Sequence, residues 1–87
     1  MFEVTMTKRA EKGMAKMPAP QTLLLAQLVE DLKESGPVQP EWPNYSKLGG
    51  KKHHCHLSRK WVACWEETKT GVQIEVYYAG SRESAPY

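Results

Sequence analysis

The chain has 87 residues, 40% of them hydrophobic and 25% charged. That is the length of one small domain over residues 1–87, with a single modest core, and the composition of a globular chain rather than a disordered one. A net charge of +2 is too small to establish a nucleic-acid partner, no apolar run approaches the roughly 20 residues of a membrane helix, and the opening MFEVTMTKRAEKG lacks the apolar stretch of a secretory signal, so a soluble, cytoplasmic protein is expected.

Residues 2–6, FEVTM, alternate apolar and polar. This predicts a short strand with Phe2, Val4 and Met6 on one face. Thr7 suits the N-cap of a first helix over about 8–17, which Gly13 weakens. MPAP at 17–20 breaks the chain, and Pro20 fits the first turn of a second helix. There Leu25, Leu28, Val29 and Leu32 recur at i, i+3, i+4 and i+7, one apolar stripe. The stripe reads as core, with the docking of a partner helix as the alternative. SGP at 35–37 ends the helix, with Gly36 as a left-handed cap and Pro37 blocking continuation. Residues 37–50, PVQPEWPNYSKLGG, read as a long ordered loop or the approach to a strand. Trp42 and Tyr45 are expected to pin it to the body, or else to stack on a base.

Three strands are expected next, at about 53–58, 60–67 and 72–79, with TKTG at 68–71 as a turn. Strands this close in sequence form an antiparallel meander. Trp61, Ala63 and Trp65 share one face of the second, and Val72, Ile74, Val76 and Tyr78 one face of the third. If residues 67 and 72 flank the turn, both sets enter the same core. The tail GSRESAPY then leaves the sheet carrying Arg82 and Tyr87.

The chemistry concentrates in the first of these strands. Side chains alternate along it, so His53, Cys55 and Leu57 point one way and His54, His56 and Ser58 the other. Leu57 prefers the core, which turns His54 and His56 outward, roughly 6.5–7 Å apart. A phosphodiester fits between two imidazoles at that separation, one taking a proton from a ribose 2′-hydroxyl and the other giving one to the leaving oxygen. A one-residue slip of register would exchange the faces. Between Asn44 and Trp65 the charged residues are Lys47, Lys51, Lys52, Arg59 and Lys60, with no acid. This points to a localised anionic partner, or to an ordinary solvated hairpin. Other readings of the histidines are plain polar surface and a zinc site completed by Cys64. No second ligand pair has a familiar spacing for zinc, and the lysines would repel a cation. Two cysteines, Cys55 and Cys64, are expected to be free thiols, without an evident activating arrangement.

The order strand, helix, helix, three strands, with a basic central strand and the ending GSRESAPY, resembles the RelE/ParE superfamily of bacterial type II toxins. Within it the chain is most similar to RelE-like and HigB-like ribosome-dependent mRNA endonucleases. The resemblance covers nearly the whole chain and is carried by WPNYSKLGGKKHHCHL, WVACWEE and IEVYYAGSRESAPY. The family's C-terminal pattern is a glycine ending the last strand, an Arg-Glu pair and an aromatic, matched by Gly80, Arg82, Glu83 and Tyr87. Its turn before the meander is matched by Lys47, Leu48 and Gly50.

The resemblance implies an α+β fold, β-α-α-β-β-β, with two N-terminal helices packed on a small, mostly antiparallel sheet. It also implies cleavage of mRNA in the ribosomal A site by 2′-hydroxyl attack, with no metal and no small-molecule cofactor. The implied partners are the ribosome, its mRNA and a cognate antitoxin protein. The implied catalytic residues are His54, His56, Arg82 and Tyr87. Arg82 would bind the scissile phosphate, and Tyr87 would stack on a base or assist the 2′-hydroxyl. Lys51, Lys52, Arg59 and Lys60 would contact the RNA backbone. RelE proper has lysines where this chain has histidines, and an arginine where it has Val62. ParE relatives inhibit gyrase on the same fold without this nuclease site. A non-catalytic gyrase inhibitor or antitoxin-binding module is therefore the rival reading.

Overall fold

Thr7 ends the first strand and starts the first helix. A computed structural model describes residues 1–87, beginning with β1 (Glu3–Met6) and α1 (Lys8–Ala15). The Thr7 hydroxyl oxygen accepts from the Ala10 amide at 3.1 Å, an N-cap that satisfies one of the helix's free donors. The same hydroxyl donates to the Tyr77 carbonyl at 3.3 Å and ties the helix start to the sheet. Ala10 and Met14 on one stripe of α1, and Met17 just beyond its end, pack into the core. The helix stops two residues short of the expected end. Its last turn tightens, with Lys16 and Met17 donating to the Gly13 and Met14 carbonyls. Gly13 is not simply a weak helix former here. A Cβ at this position would sit 1.6 Å from the Ala79 carbonyl oxygen, so α1 lies on the backbone of the last strand as only glycine permits.

α2 (Ala19–Ser35) opens with Pro20 in its first turn, as expected, and closes at Gly36. Gly36 has φ 88°, a left-handed conformation suited to glycine. Leu25, Leu28 and Leu32 are fully buried and Val29 is half-buried, so the stripe is core. The following loop is held by indole and amide donors. Gln39 donates to the Gly36 and Asp31 carbonyls, Trp42 Nε1 to the Asp31 carboxylate at 2.9 Å, and Trp65 Nε1 to the Pro37 carbonyl at 2.9 Å. Trp42 therefore pins the loop, and Tyr45 does so by stacking with His53 and Trp65.

The sheet has five strands rather than four. β2 (Ser46–Gly49), β3 (Lys52–His56), β4 (Trp61–Lys69) and β5 (Gln73–Ser81) form a meander, in the order β1-β5-β4-β3-β2. Only β1 with β5 is parallel. The segment SKLG was expected as the approach to a strand and is itself the edge strand, Ser46 facing His54. The β4–β5 register differs from the expected one in two places. β4 runs on to Lys69, which faces Gln73, and Val72 is left 44% exposed outside the core. Further along, Cys64 faces Tyr78 but Trp65 faces Val76, which leaves Tyr77 as an extra residue in a β-bulge. The bulge reverses the alternation. Ile74, Val76 and Ala79 meet the helices, while Tyr78 turns to the other face with Val62 and Cys64.

The sheet thus has two unlike faces. One carries the main core under α1 and α2, including Cys55, Leu57, Ala63 and Trp65. The other carries a small cluster of Val62, Cys64 and Tyr78, flanked by Leu48, Tyr77 and Ala85. From the helices, Arg9 of α1 reaches the Tyr78 ring on that second face, and the candidate site lies on the same face. No helix is long and apolar enough to cross a membrane.

Candidate active site

Lys52, His54 and His56 alternate along β3, and pairing fixes which face they take. His54 lies between Ser46 on β2 and Cys64 on β4. Cys64 belongs to the second-face cluster, so His54 and His56 stand on the face away from the helices, as the alternation predicts. His53 takes the core side. It is 3% exposed, stacks on Tyr45 and Trp65, and its Nδ1 meets the Tyr45 hydroxyl at 2.7 Å.

His54 is not the solvent-exposed group the pattern leads one to expect. It is 9% exposed. The ring of Tyr87 tilts over it, with 4.5 Å between centroids. On its other side Nδ1 meets the Ser46 hydroxyl at 3.0 Å. In the tautomer whose Nδ1–H donates to Ser46, Nε2 carries the free lone pair. Burial lowers the His54 pKa below 6.5; hydrogen bonding at Ser46 opposes this and the neighbouring His56 adds to it. The imidazole is therefore neutral at neutral pH. The His56 ring lies 5.9 Å from that of His54, edge-on, and its backbone N–H donates to the Pro43 carbonyl at 2.8 Å.

His56 also lines a shallow cavity of about 310 Å³ with Pro43, Asn44, Ser58, Arg59 and Arg82. This cavity has two guanidinium groups and one imidazole in its wall and no carboxylate. Arg82 is carried there by the tail, whose backbone is anchored by a 2.7 Å bond from the Arg82 amide to the Lys60 carbonyl. Burial pushes the Tyr87 phenol up; Cys64 and Tyr78 add to this, and Arg82 opposes it. Tyr87 thus remains a hydroxyl donor at neutral pH.

The four expected RNA-binding cations divide into two pairs. Arg59 lines the His56 cavity, and Lys60 lines a neighbouring cleft with Arg82. Lys51 and Lys52 lie at the other end of β3, ~13 Å from His56. Lys52 Nζ sits 5.7 Å from the centre of the Tyr77 ring, and Lys51 Nζ donates to the Thr70 hydroxyl at 2.7 Å. Val62 is fully buried, facing His56 and Gly80.

Ser46 and Tyr77 were not singled out from the sequence. Ser46 matters through cross-strand pairing that a loop reading hides. Tyr77 follows Val76 onto the site face by plain alternation, and the bulge adds Tyr78 to that face. Burial pushes both thiols, Cys55 and Cys64, up to about 12, so neither is a thiolate at neutral pH. No three His, Cys, Asp or Glu side chains come together as a metal-binding group, and His54, His56 and Cys64 do not form one.

No protein-family model matches the chain, and no curated protein matches it in sequence. Solved structures match it in three dimensions. A chain of the DinJ–YafQ toxin–antitoxin complex from Escherichia coli has a TM-score of 0.78 at 12% identity, covering 99% of this chain and 98% of that one. The YoeB/ParE toxin from Agrobacterium tumefaciens has a TM-score of 0.77 at 10% identity, covering 93% and 99%. The archaeal RelE–RelB complex from Pyrococcus horikoshii OT3 matches at 0.75 and 15%, covering 97% and 98%. The fold of this chain is that of the RelE/ParE-like toxins.

Proposed function

We propose that the protein is the toxin of a type II toxin–antitoxin pair and a metal-independent endoribonuclease that cuts mRNA in the ribosomal A site. The observation that carries this reading is the grouping of His54, His56, Arg82 and Tyr87 on the sheet face opposite the main core. These residues come from two separate segments of the chain, and together they supply a base, a donor and an anion-binding cation.

In the proposed reaction neutral His54 takes the proton of a ribose 2′-hydroxyl through Nε2. The O2′–P bond forms as the P–O5′ bond breaks, giving a cyclic phosphate and a free 5′-hydroxyl. His56 supplies the proton to the leaving oxygen. Two histidines in different surroundings can divide acid and base work in this way. Arg82 and Arg59 hold the phosphate and stabilise its developing charge. Tyr87 stacks on a base or donates its hydroxyl near the 2′ position. Lys60 contacts the backbone beside the cavity, and Lys51 and Lys52 hold it farther along β3. Bound mRNA is oriented by the ribosome, so a small site suffices.

An antitoxin partner is supported by neighbours solved as toxin–antitoxin complexes. The cytoplasm, where ribosomes and mRNA are met, is the proposed location. The test is cleavage of mRNA on programmed ribosomes by the purified protein, mapped by primer extension. Cuts are expected to require the ribosome and to fall by ~10²-fold or more in His54→Ala and His56→Ala. Absence of cuts by folded wild-type protein would sink the nuclease reading and turn attention to gyrase supercoiling.

A further inference from the structure

The His56 cavity does not end at Arg82. Arg82 also lines a second cleft of about 200 Å³, with Lys60, Trp61, Ser81 and Glu83. Trp61 and Ser81 in turn line a third, of about 550 Å³, whose far wall is α1. Each cleft shares a wall residue with the next, so the three lie in succession from His56 past Arg82 and Trp61 to the first helix.

Charge along this path is one-sided. Its cations are Arg59, Arg82, Lys60, Arg9, Lys12 and Lys16, and its one carboxylate is Glu83. The helical repeat explains the far end. Arg9, Lys12, Gly13 and Lys16 recur at i, i+3, i+4 and i+7 and make one stripe of α1. Ala10 and Met14, with Met17 just beyond the helix end, make the core side, and Lys8, Glu11 and Ala15 are left outside. The acid of α1 thus lies off the path and three of its cations lie on it. The Arg9 guanidinium carbon sits 5.0 Å from the Tyr78 ring centre. Such a stack leaves the guanidinium edge free for phosphate oxygens. Half-buried Trp61 stands where two clefts meet and offers a face to a base.

We infer that this path is an RNA track: the strand cut beside His56 continues past Arg82 and Trp61, and its phosphates are gripped by Arg9, Lys12 and Lys16 on α1. The inference rests on the nuclease reading and names where the rest of its substrate runs. A polyanionic strand fits better than an acidic protein segment, because the path begins at the cavity proposed to hold the scissile phosphate and includes an aromatic surface for a base.

The experiment measures binding of uncleavable 2′-O-methyl RNA of two lengths, ~4 and ~12 nucleotides, across a salt series. The proteins are wild type, Arg82→Gln, Lys12→Gln/Lys16→Gln, and the charge-matched control Lys8→Gln/Lys69→Gln. The short strand is expected to respond to Arg82→Gln alone. The long strand is expected to bind more tightly to wild type, and the α1 variant should flatten its dependence of log K on log salt by about 1.4. The control should shift that slope far less. If the long strand gains nothing over the short one, or the α1 variant and the control behave alike, the track is refuted even where the cutting site stands. The α1 cations would then be left for a protein partner. If the short strand ignores Arg82→Gln, the cutting-site reading fails instead, and with it the inference built upon it.

Discussion

The ring of Tyr87 lies 4.5 Å from that of His54 and tilted by 48° to it, so the tail that leaves β5 forms one wall of the imidazole's pocket. The contact gives Tyr87 a task apart from any meeting with RNA. By covering His54 it adds to the burial that lowers the imidazole pKa below 6.5. A base with a lowered pKa is already deprotonated at the pH where ribosomes work.

Tyr87→Ala is therefore expected to raise the His54 pKa toward 6.5. The acid limb of the pH–rate profile should move to higher pH, and so should the His54 resonance in an NMR titration. Tyr87→Phe keeps the ring and should leave that titration where it is. A His54 titration unmoved by Tyr87→Ala would show that the pocket wall lies elsewhere.

In the proposed reaction Ser46 is a positioning residue that works through His54. Its hydroxyl stands 3.0 Å from Nδ1, and by accepting from Nδ1–H it would hold the tautomer that presents Nε2. Loss of one such hydrogen bond is worth ~1 kcal/mol, a factor of about five in rate. Ser46→Ala is expected to lower single-turnover cleavage about that much, with little change in RNA affinity, and Ser46→Thr to restore it. Equal losses in affinity and rate would place Ser46 in substrate binding instead.

The site faces were legible because β3 alternates. Leu57 prefers the core and carries Cys55 and His53 with it, which leaves His54 and His56 for the other face. The burial of His54 was not legible, since it depends on a tail that folds back from a distant position in the chain. Tyr78 was misplaced for a related reason. Period-two reasoning holds only while the ladder is regular, and the extra residue at Tyr77 reverses it. The short strand β2 has Lys47, Gly49 and two prolines close before it, and its local composition reads as a loop. Pairing with β3, a nonlocal effect, makes it a strand.

Two histidines should make the fold weaker in acid. Burial lowers the pKa of both His53 and His54 below 6.5; the Lys47 charge adds to this at His53 and Glu67 opposes it. The folded protein then binds fewer protons than the unfolded chain as pH falls past 6.5, so stability rises with pH across that window. The contribution is fully present above 6.5 and is lost as pH falls through the folded-state values. The urea midpoint is expected to drop between pH 7 and pH 5, and His53→Gln should flatten that dependence. A midpoint that holds or rises toward pH 5 in the wild type would contradict the assignment.

Gly13 sets two effects against one another. By helix propensity alone, Gly13→Ala should stabilise α1 by ~1 kcal/mol. By packing, the new Cβ would overlap the Ala79 carbonyl oxygen at 1.6 Å, and backbone, unlike a side-chain tip, cannot swing aside. α1 would have to lift from β5, at a cost of roughly 1–3 kcal/mol or more for overpacking. It would also loosen Ala10 and Met14 in the core. The second effect should win, so Gly13→Ala is expected to lower the urea midpoint by an amount near ~2 kcal/mol in unfolding free energy. An exposed comparison, Lys12→Ala, removes no such contact and should change stability by only a few tenths of a kcal/mol. A Gly13→Ala protein more stable than wild type would mean that α1 does not rest on Ala79. The far wall of the basic path would then stand farther from Tyr78 and Trp61 than the geometry above requires.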